Sequence, residues 1–375
     1  MHRSFYILLI FLVTNLSAYA QNEFFRIKNL ISSYSSLSFN DPAEYYLGGR
    51  YIPTLNLSAN LKKGRSIDAE ISVNASLDYY FMKGEVPSVE KDIEPYRGWI
   101  RYSSPRFELR AGLQKISFGS ASILRPLMWF DKMDYRDPLQ LTPGVYSLLG
   151  KYYFQSNINI WFWALYGNND TKGWEVVPTQ EEKVEYGGRF QVPLPSGEIA
   201  LSYHYRSGDY SLLYIMNPQI TEPFYDDRLI GVDGKWDIGP GISFEYVYKL
   251  NDPDNYLMEK EEHYLNLGMD YTFNLGSGLN VVGEYFRYKG ADTDNYAALA
   301  LSYPFGLMNS VMLAIYYNTD KEDVYSLITL KRDYNYLSLN LLAYWNPAEA
   351  GLYTRPGDKN MLAGKGIQVM AVLNF

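Results

Sequence analysis

Three arginines on two neighbouring segments carry the clearest chemical signal in this sequence. Arg97 and Arg101 stand in PYRGWIRYS with Trp99 between them, and Arg110 follows in RFELRAGLQ. Side chains at every second position of an extended strand point to the same face. The two segments would therefore place a basic stripe on one face of a sheet. Because guanidinium groups stay charged and bind carboxylates well, we expect this stripe to attract anions or carboxylated solutes.

Other charged residues fall on the corresponding polar face of further alternating segments. The basic members of this set are Arg50, Lys151, Arg189 and Arg206. The acidic members are Asp68, Glu70, Asp78, Glu108, Asp233, Glu245, Asp270 and Glu284. An enclosed charge is costly unless water or an opposite charge reaches it. For any single residue, lining a wet channel and forming a cross-strand ion pair are therefore both open interpretations.

The sequence offers little for catalysis or for metal binding. It has no cysteine, and its net charge of −8 does not indicate nucleic-acid binding. Two histidines follow residue 20, His204 on an alternating segment and His263 after the acidic run EKEE, and neither has the nucleophile context of a hydrolase. The acidic stretches 251–262 and 318–323 lack the glycine-centred spacing of a calcium loop. We expect no catalytic residue, no metal site and no cofactor.

The first twenty residues have the layout of a cleavable secretory signal. Arg3 precedes an apolar run over residues 5–16, and the small-x-small triplet AYA ends at Ala20. This pattern predicts export with cleavage after Ala20. An uncleaved membrane anchor is the alternative, but the run is shorter than the roughly 20 apolar residues that a spanning helix needs.

The rest of the chain alternates apolar and polar residues, and helical periodicity is nearly absent. In SIDAEISVNASLDYYF one register is apolar from Ile67 to Phe81, and the other carries mostly acidic, Ser and Asn side chains. RFELRAGLQ, EIALSYHYR and YLSLNLLAYWN follow the same rule. This alternation predicts an all-β protein. A soluble propeller or sandwich is the alternative, but the second face is too polar to fill a dry core.

Connections between these segments also alternate in length. Short turns bearing Gly or Pro occur near 62–65, 103–105, 193–197, 237–241, 274–278 and 304–307. Longer loops are expected at 83–93, 117–143, 167–182, 208–224, 251–261 and 347–364. Short turns on one rim and long loops on the other are typical of a transmembrane antiparallel up-and-down β-barrel. We count eighteen strands if the weakly alternating stretch 27–39 is included, with sixteen as the alternative, and expect one barrel domain over residues 21–375.

The chain ends on GIQVMAVLNF, an alternating strand whose last residue is Phe375. An alternating final strand with a terminal Phe is similar to the assembly signal of Gram-negative outer-membrane proteins. Together with the signal peptide and the strand pattern, it makes the chain resemble the porin-type outer-membrane β-barrels. The resemblance implies insertion into the outer membrane, contact with its lipid and lipopolysaccharide, and recognition of the last strand by the barrel assembly machinery.

The longest insertion, residues 118–145, combines aromatic and charged side chains. Its charged residues are Arg125, Asp131, Lys132, Asp134, Arg136 and Asp137. A loop of this length is usually functional, and its apolar side chains would face water if it stood outside the barrel. Porin-type barrels commonly fold a loop in this position into the lumen, so the resemblance implies a constriction loop here. A cap packed on the outer rim is the alternative.

These observations lead to an expected function. We expect an outer-membrane channel for passive diffusion of small hydrophilic or charged solutes, in which the charged faces described above line the pore. A closed structural or receptor-like barrel without an open pore is the alternative, and an outer-membrane hydrolase is a more distant one. The sequence does not decide between a monomer and an oligomer.

Overall fold

The computed structural model of the chain describes residues 24–82, 86–133, 135–211, 215, 223–251, 259–347 and 362–375. The predicted signal segment with Ala20, and Asp134 of the long insertion, lie outside the described residues. Among the helical residues that are described, none belongs to a helix long and apolar enough to cross a membrane.

Eighteen antiparallel strands make up the fold, and each pairs with its two neighbours. The strands are β1 Phe25–Ser38, β2 Glu44–Leu61, β3 Arg65–Met82, β4 Ser88–Ser103, β5 Phe107–Gln114, β6 Val145–Tyr153, β7 Asn159–Leu165, β8 Glu185–Leu194, β9 Gly197–Asp209, β10 Phe224–Asp237, β11 Gly241–Asn251, β12 Glu261–Phe273, β13 Leu279–Lys289, β14 Thr293–Phe305, β15 Asn309–Asn318, β16 Asp323–Asp333, β17 Leu337–Trp345 and β18 Lys365–Asn374. The prediction of eighteen strands is confirmed, and the stretch 27–39 belongs to β1 up to residue 38.

Pairing of the first strand with the last closes the sheet into a barrel. β1 and β18 run antiparallel from Leu30 opposite Asn374 to Ser38 opposite Gly366. Beyond this ladder, the backbone N–H of Asn29 donates to the carbonyl of Phe375 at 2.8 Å, and the reverse bond is 3.1 Å. Closure satisfies the backbone groups of both strands, as a bilayer requires. The terminal Phe is therefore part of the seam of the barrel.

Alternating side chains face outward and inward around this ring. On β18, Ile367 and Val369 point outward and are 40% and 50% exposed, whereas Gln368 and Met370 point inward and are each 6% exposed. Large apolar side chains elsewhere on the outer face are exposed in the same way, Phe162 to 67% among them. A soluble barrel would bury this face, so the soluble propeller or sandwich is wrong and the transmembrane barrel is the fold.

Strand length varies strongly around the wall. β2 and β3 have 18 residues each and β4 has 16, whereas β5, β6 and β7 have 8, 9 and 7. The short strands flank the longest connection, residues 115–144, and the connection over residues 166–184, and both lie on the rim opposite the short turns. Both connections therefore begin at the ends of the shortest strands, β5 and β7.

The predicted loop over 83–93 requires a correction. Residues 88–93 belong to β4, where Ser88 pairs with Tyr80 and Glu94 pairs with Asn74. Charged residues made this stretch resemble a loop in the sequence, but its backbone is paired to β3. The acidic side chains of this part of β4 consequently belong to the barrel wall.

Candidate functional site

Residues 115–144, here called the inward loop, run from β5 across the interior to the opposite wall. β5 and β13 are eight strands apart in a ring of eighteen. The carboxylate of Glu284 on β13 nevertheless accepts three successive backbone N–H bonds from residues 122–124, at 2.7, 3.0 and 2.8 Å. Asn266 on β12 donates from Nδ2 to the carbonyl of Leu124 at 2.7 Å. The loop is therefore held by the far wall of the barrel.

Glu245 on β11 is a second anchor for the inward loop. Its carboxylate accepts the backbone N–H groups of Ala121 at 2.7 Å and Leu127 at 2.9 Å. Both anchoring glutamates are buried. Hydrogen bonds to a carboxylate are strong and satisfy amides that have no partner within the loop itself. Although Glu245 and Glu284 face the interior, they bind the loop and do not border the large cavity described below.

Apolar side chains of the inward loop pack against the short-strand side of the barrel. Phe118 stacks on Trp163 of β7 with ring centroids 5.5 Å apart, and Phe130 meets the same indole edge-on at 5.5 Å. Phe118 also contacts Trp129 at 5.5 Å, and Phe130 contacts His204 of β9 at 4.9 Å. These rings form a dry layer across part of the interior, which fixes the position of the loop.

Residues 166–184, the second loop, also enter the interior. The indole N–H of Trp174 donates to the carbonyl of Arg125 in the inward loop at 2.8 Å. The same ring stacks on Phe286 of β13 at 5.7 Å with an interplanar angle of 16°. The two loops thus pack on each other and on a common wall, and together they fill the side of the lumen nearest β7 to β13.

A buried chain of charges holds the second loop in place. The ammonium of Lys172 lies 2.9 Å from Glu185 of β8 and 3.1 Å from Glu175. Glu175 in turn lies 3.2 Å from Arg206, which reaches Asp227 of β10 at 2.6 Å. Arg206 is 2% exposed. This predicted interior residue therefore neutralises loop and wall carboxylates beneath the loop.

The two histidines considered for catalysis have structural partners. His204 accepts the indole N–H of Trp163 at Nδ1, 3.2 Å away, and its Nε2 lies 3.1 Å from Glu185. His263 is on the outer face, where its Nδ1 lies 2.8 Å from the hydroxyl of Tyr246. Within the described residues, no group of three or more His, Asp or Glu side chains is arranged to hold a metal ion.

Two members of the predicted basic stripe form ion pairs near the short-turn rim. Arg101 bonds to Asp68 at 2.9 Å and lies 3.6 Å from Glu108. Arg110 bonds to the same Glu108 at 3.0 Å and places its guanidinium 4.7 Å from the ring centre of Trp99. The stripe is therefore compensated by acidic neighbours at this end of the barrel.

Two further predicted cations lie against aromatic rings. The guanidinium of Arg97 is 4.0 Å from the ring centre of Tyr96, and its Nη2 donates to the carbonyl of Thr142 at 2.9 Å. Arg97 therefore supports the returning end of the inward loop. The ammonium of Lys151 lies 3.6 Å above Trp161, where a cation–π contact holds it.

Two of the remaining predicted wall residues, Asp233 and Asp270, form ion pairs with basic side chains on other strands. Arg189 binds both carboxylate oxygens of Asp233 on β10, with the Nη2 bond at 2.9 Å. Asp270 on β12 lies 3.3 Å from Lys235, and both side chains are partly exposed. Glu70 shares the inward register of β3 and is half-buried. Pairs of this kind compensate charge in the wall.

Charged residues of the inward loop separate into two groups. Arg125 binds Asp131 at 3.2 Å and also donates to the Ser117 hydroxyl at 2.9 Å, so this pair organises the loop itself. The other group, Lys132, Arg136 and Asp137, borders a cavity beside the loop.

That cavity has a volume of about 400 Å³ and lies between the inward loop and the wall formed by β1, β2, β3, β4 and β18. Charged side chains of both signs border it, from the wall and from the loop. They are Arg50, Lys132 and Arg136 on the basic side and Asp78, Glu90 and Asp137 on the acidic side. Tyrosine hydroxyls and Gln368 complete its polar lining. Among the predicted wall residues, Arg50 and Asp78 border this cavity.

The wall of the cavity is built around a glycine. Tyr34 on β1, Gly48 on β2 and Asp78 on β3 are consecutive cross-strand partners. The Tyr34 hydroxyl passes over Gly48 and donates to Oδ1 of Asp78 at 2.8 Å. A Cβ atom at position 48 would clash with both the carboxylate and the tyrosine ring. Glycine is therefore required for this contact.

A second cavity of about 340 Å³ opens at the short-turn end. Its polar and aromatic lining includes Arg26, Lys28, Asp68, Trp99 and Arg101. Arg101 of the basic stripe therefore borders a cavity at the short-turn end of the barrel.

Solved structures of similar shape were found for nearly the whole chain. The anion-selective porin from Comamonas acidovorans has a TM-score of 0.51 and 11% identity, over 94% of this chain and 99% of that one. OccK7 (OpdD) of Pseudomonas aeruginosa has a TM-score of 0.55 and 11% identity over 94% and 99%, and OccAB4 of Acinetobacter baumannii has 0.55 and 9% over 95% and 98%. The fold is that of the porins. Identity this low establishes a common barrel fold alone.

No family model matches the chain. No curated protein matches it either.

Sequence reasoning missed several residues that border the cavity of this porin-type barrel. Glu90 was assigned to a loop because its neighbours are charged. Tyr34 lies on β1, which alternates only weakly in the sequence, and Tyr46 lies near the start of β2. The glycine pair 48–49 inside an extended segment was a usable signal, since glycine within a strand often marks close approach of another group.

Proposed function

We propose that this chain forms a channel of a Gram-negative outer membrane through which small hydrophilic or charged solutes diffuse passively. The observation that carries this proposal is the cavity of about 400 Å³, bordered by charges of both signs, inside a barrel with an apolar outer face. Ionisable groups are stable within a membrane barrel when they are hydrated or paired. A solute path through this space would supply the hydration.

The position of the two inward-folded loops supports a narrow passage on one side of the lumen. These loops pack toward β7–β13, and the cavity remains beside β1–β4 and β18. Lys132, Arg136 and Asp137 of the inward loop face Arg50 and Asp78 of the wall across this space. We assign the constriction of the channel to these five residues, because local charge at the narrowest point governs which ions and solutes pass.

The proposal includes export and assembly. The segment ending at Ala20 directs export and is removed, leaving residues 21–375 as the mature barrel. The C-terminal strand with Phe375 is recognised by the barrel assembly machinery, and the apolar outer face contacts membrane lipid and lipopolysaccharide. Pairing of Phe375 with Asn29 supports this role, because the last strand completes the barrel.

The test is single-channel conductance of the purified mature chain in a planar bilayer, with a salt gradient across it. We expect stepwise current increments and a reversal potential that reports ion preference. Folding is checked beforehand by heat-modifiable migration on gels. A correctly folded barrel that carries no current would overturn the channel proposal and favour a closed structural or receptor-like barrel.

A further inference from the structure

Arg50 and Asp78 differ from most opposite charges in the barrel interior. Interior ion pairs include Arg101–Asp68, Arg189–Asp233 and Arg206–Asp227. Arg50 and Asp78 border the same cavity on adjacent strands, yet they form no ion pair with each other, and the side chain of Arg50 forms no hydrogen bond or ion pair with a described residue. Many charges of the wall are compensated by an opposite charge, whereas these two face the cavity. A departure of this kind indicates a functional position.

The acidic half of this arrangement is held rigidly. Asp78 accepts the Tyr34 hydroxyl at 2.8 Å over Gly48, so one carboxylate oxygen is fixed against the wall. Tyr34 also lies within the electrostatic reach of Arg50 and Glu90. The tyrosine acts here as a positioning residue, and the carboxylate remains available to a cation in the cavity. Preorganisation of this kind lowers the entropic cost of binding.

The basic residue of the pair, Arg50, lies on the adjacent strand β2. Arg50 stands two residues beyond Gly48 on β2, in the same inward register, so its guanidinium and the Asp78 carboxylate approach the cavity from neighbouring positions. A guanidinium binds carboxylates through paired N–H groups, and a carboxylate binds ammonium groups. A single solute that carries a carboxylate and an ammonium group could therefore bind Arg50 and Asp78 at the same time.

We propose that the cavity is a binding site for small zwitterions that carry a carboxylate and an ammonium a few bonds apart. Arg50 binds the solute carboxylate, and Asp78 binds the solute ammonium. This inference rests on the proposed channel and adds its preferred solute class. Loop residues of both signs, Lys132, Arg136 and Asp137, border the cavity on the side opposite this pair.

The experiment compares alanine with its neutral isomer lactamide, which has the same atoms but no separated charges. Radiolabelled uptake of each at low concentration is measured in proteoliposomes containing the mature chain. We expect alanine to enter about fivefold faster than lactamide, because a partly hydrated ion pair between solute and wall would favour binding by about that factor. Uptake of alanine should saturate with concentration, whereas uptake of lactamide should rise linearly.

Three variants and a control assign the effect. Arg50→Gln and Asp78→Asn should each bring the alanine-to-lactamide ratio toward one, and Arg50→Lys should retain part of the preference. Arg287→Gln changes an equivalent charge on the exposed outer face of β13 and should keep the parental ratio. Two independent single variants guard against one of them failing to fold.

The possible outcomes separate this inference from the channel itself. A ratio near one in the parent protein, with lactamide uptake and conductance intact, overturns zwitterion binding and leaves the channel. A parental ratio that survives in both Arg50→Gln and Asp78→Asn also overturns the assignment. If neither solute enters and no current flows, the proposed function fails and this inference fails with it.

Discussion

Glu284 on β13 and Leu124 in the loop that leaves β5 are joined by a 2.8 Å hydrogen bond from the Leu124 backbone N–H to the Glu284 carboxylate. This contact, with two more from residues 122 and 123, connects nearly opposite sides of the barrel. Together with Glu245, this wall carboxylate holds the inward loop across the lumen, and the width of the remaining cavity depends on both anchors.

Glu284→Gln should loosen the inward loop. An amide oxygen accepts hydrogen bonds less strongly than a carboxylate, and the amide NH₂ would face backbone donors. We expect a loss of about 2–4 kcal/mol in stability, together with noisier and larger single-channel currents. Glu261→Gln removes a carboxylate that is exposed on the outer rim and is the matched control. Unchanged current noise in Glu284→Gln would contradict the anchoring role.

Gly48→Ala should separate Tyr34 from Asp78. The added methyl group has no room between the carboxylate and the tyrosine ring, so we expect a loss of about 1–3 kcal/mol and an altered conductance. Gly49→Ala is the control, because a Cβ atom there would meet its nearest neighbour, the carbonyl of Ser32, at 3.7 Å. Thermal unfolding followed by gel mobility distinguishes the two. Equal midpoints for both variants would show that the wall adapts at position 48.

Lys172→Met should release the second loop. The ammonium of Lys172 compensates the buried carboxylates of Glu175 and Glu185, and its removal leaves them facing each other without that cation. Breaking a buried pair in this way costs about 3–5 kcal/mol. Lys183→Met, at an exposed lysine of the same loop, is the control. Limited proteolysis within residues 166–184 should increase in the first variant and stay at the parental level in the second.

Ion selectivity should depend more on Arg50 than on the basic stripe. Arg101 is compensated by Asp68 and Glu108, whereas Arg50 borders the cavity without an ion pair. In a salt gradient, Arg50→Gln should raise the cation-to-anion permeability ratio roughly twofold or more, and Arg101→Gln should change it less. A larger shift in Arg101→Gln would place the selective step at the short-turn mouth.

Deletion of Phe375 should impair assembly. It removes both backbone hydrogen bonds between the chain end and Asn29, at the seam where β18 meets β1. We expect less folded barrel in the outer membrane, measured by heat-modifiable migration of membrane fractions. Phe375→Tyr keeps the backbone and an aromatic ring and should assemble at nearly the parental level. Equal amounts of folded protein in the deletion variant would exclude a role for this residue in closure.

Much of the barrel follows from local sequence pattern. Alternation with a period of two fixes which side chains share a face, and turns fix where strands end, so the eighteen strands and the inward registers of Arg50 and Asp78 were predictable. β4 was the exception at its start, because Glu90 and its neighbours look like a loop when the partner strand is unknown. Backbone pairing to β3 decides their structure.

The sequence by itself determined the fold class and the sign and register of most wall charges, since these depend on residue type and on neighbours along the chain. Only the tertiary structure decided which charges meet. Arg206 and Glu284 share an inward register with Arg50, yet loops cover the first two and leave the third beside a cavity. The path of the inward loop depends on contacts between residues more than a hundred positions apart, such as Ser122 with Glu284, and no local pattern encodes such contacts.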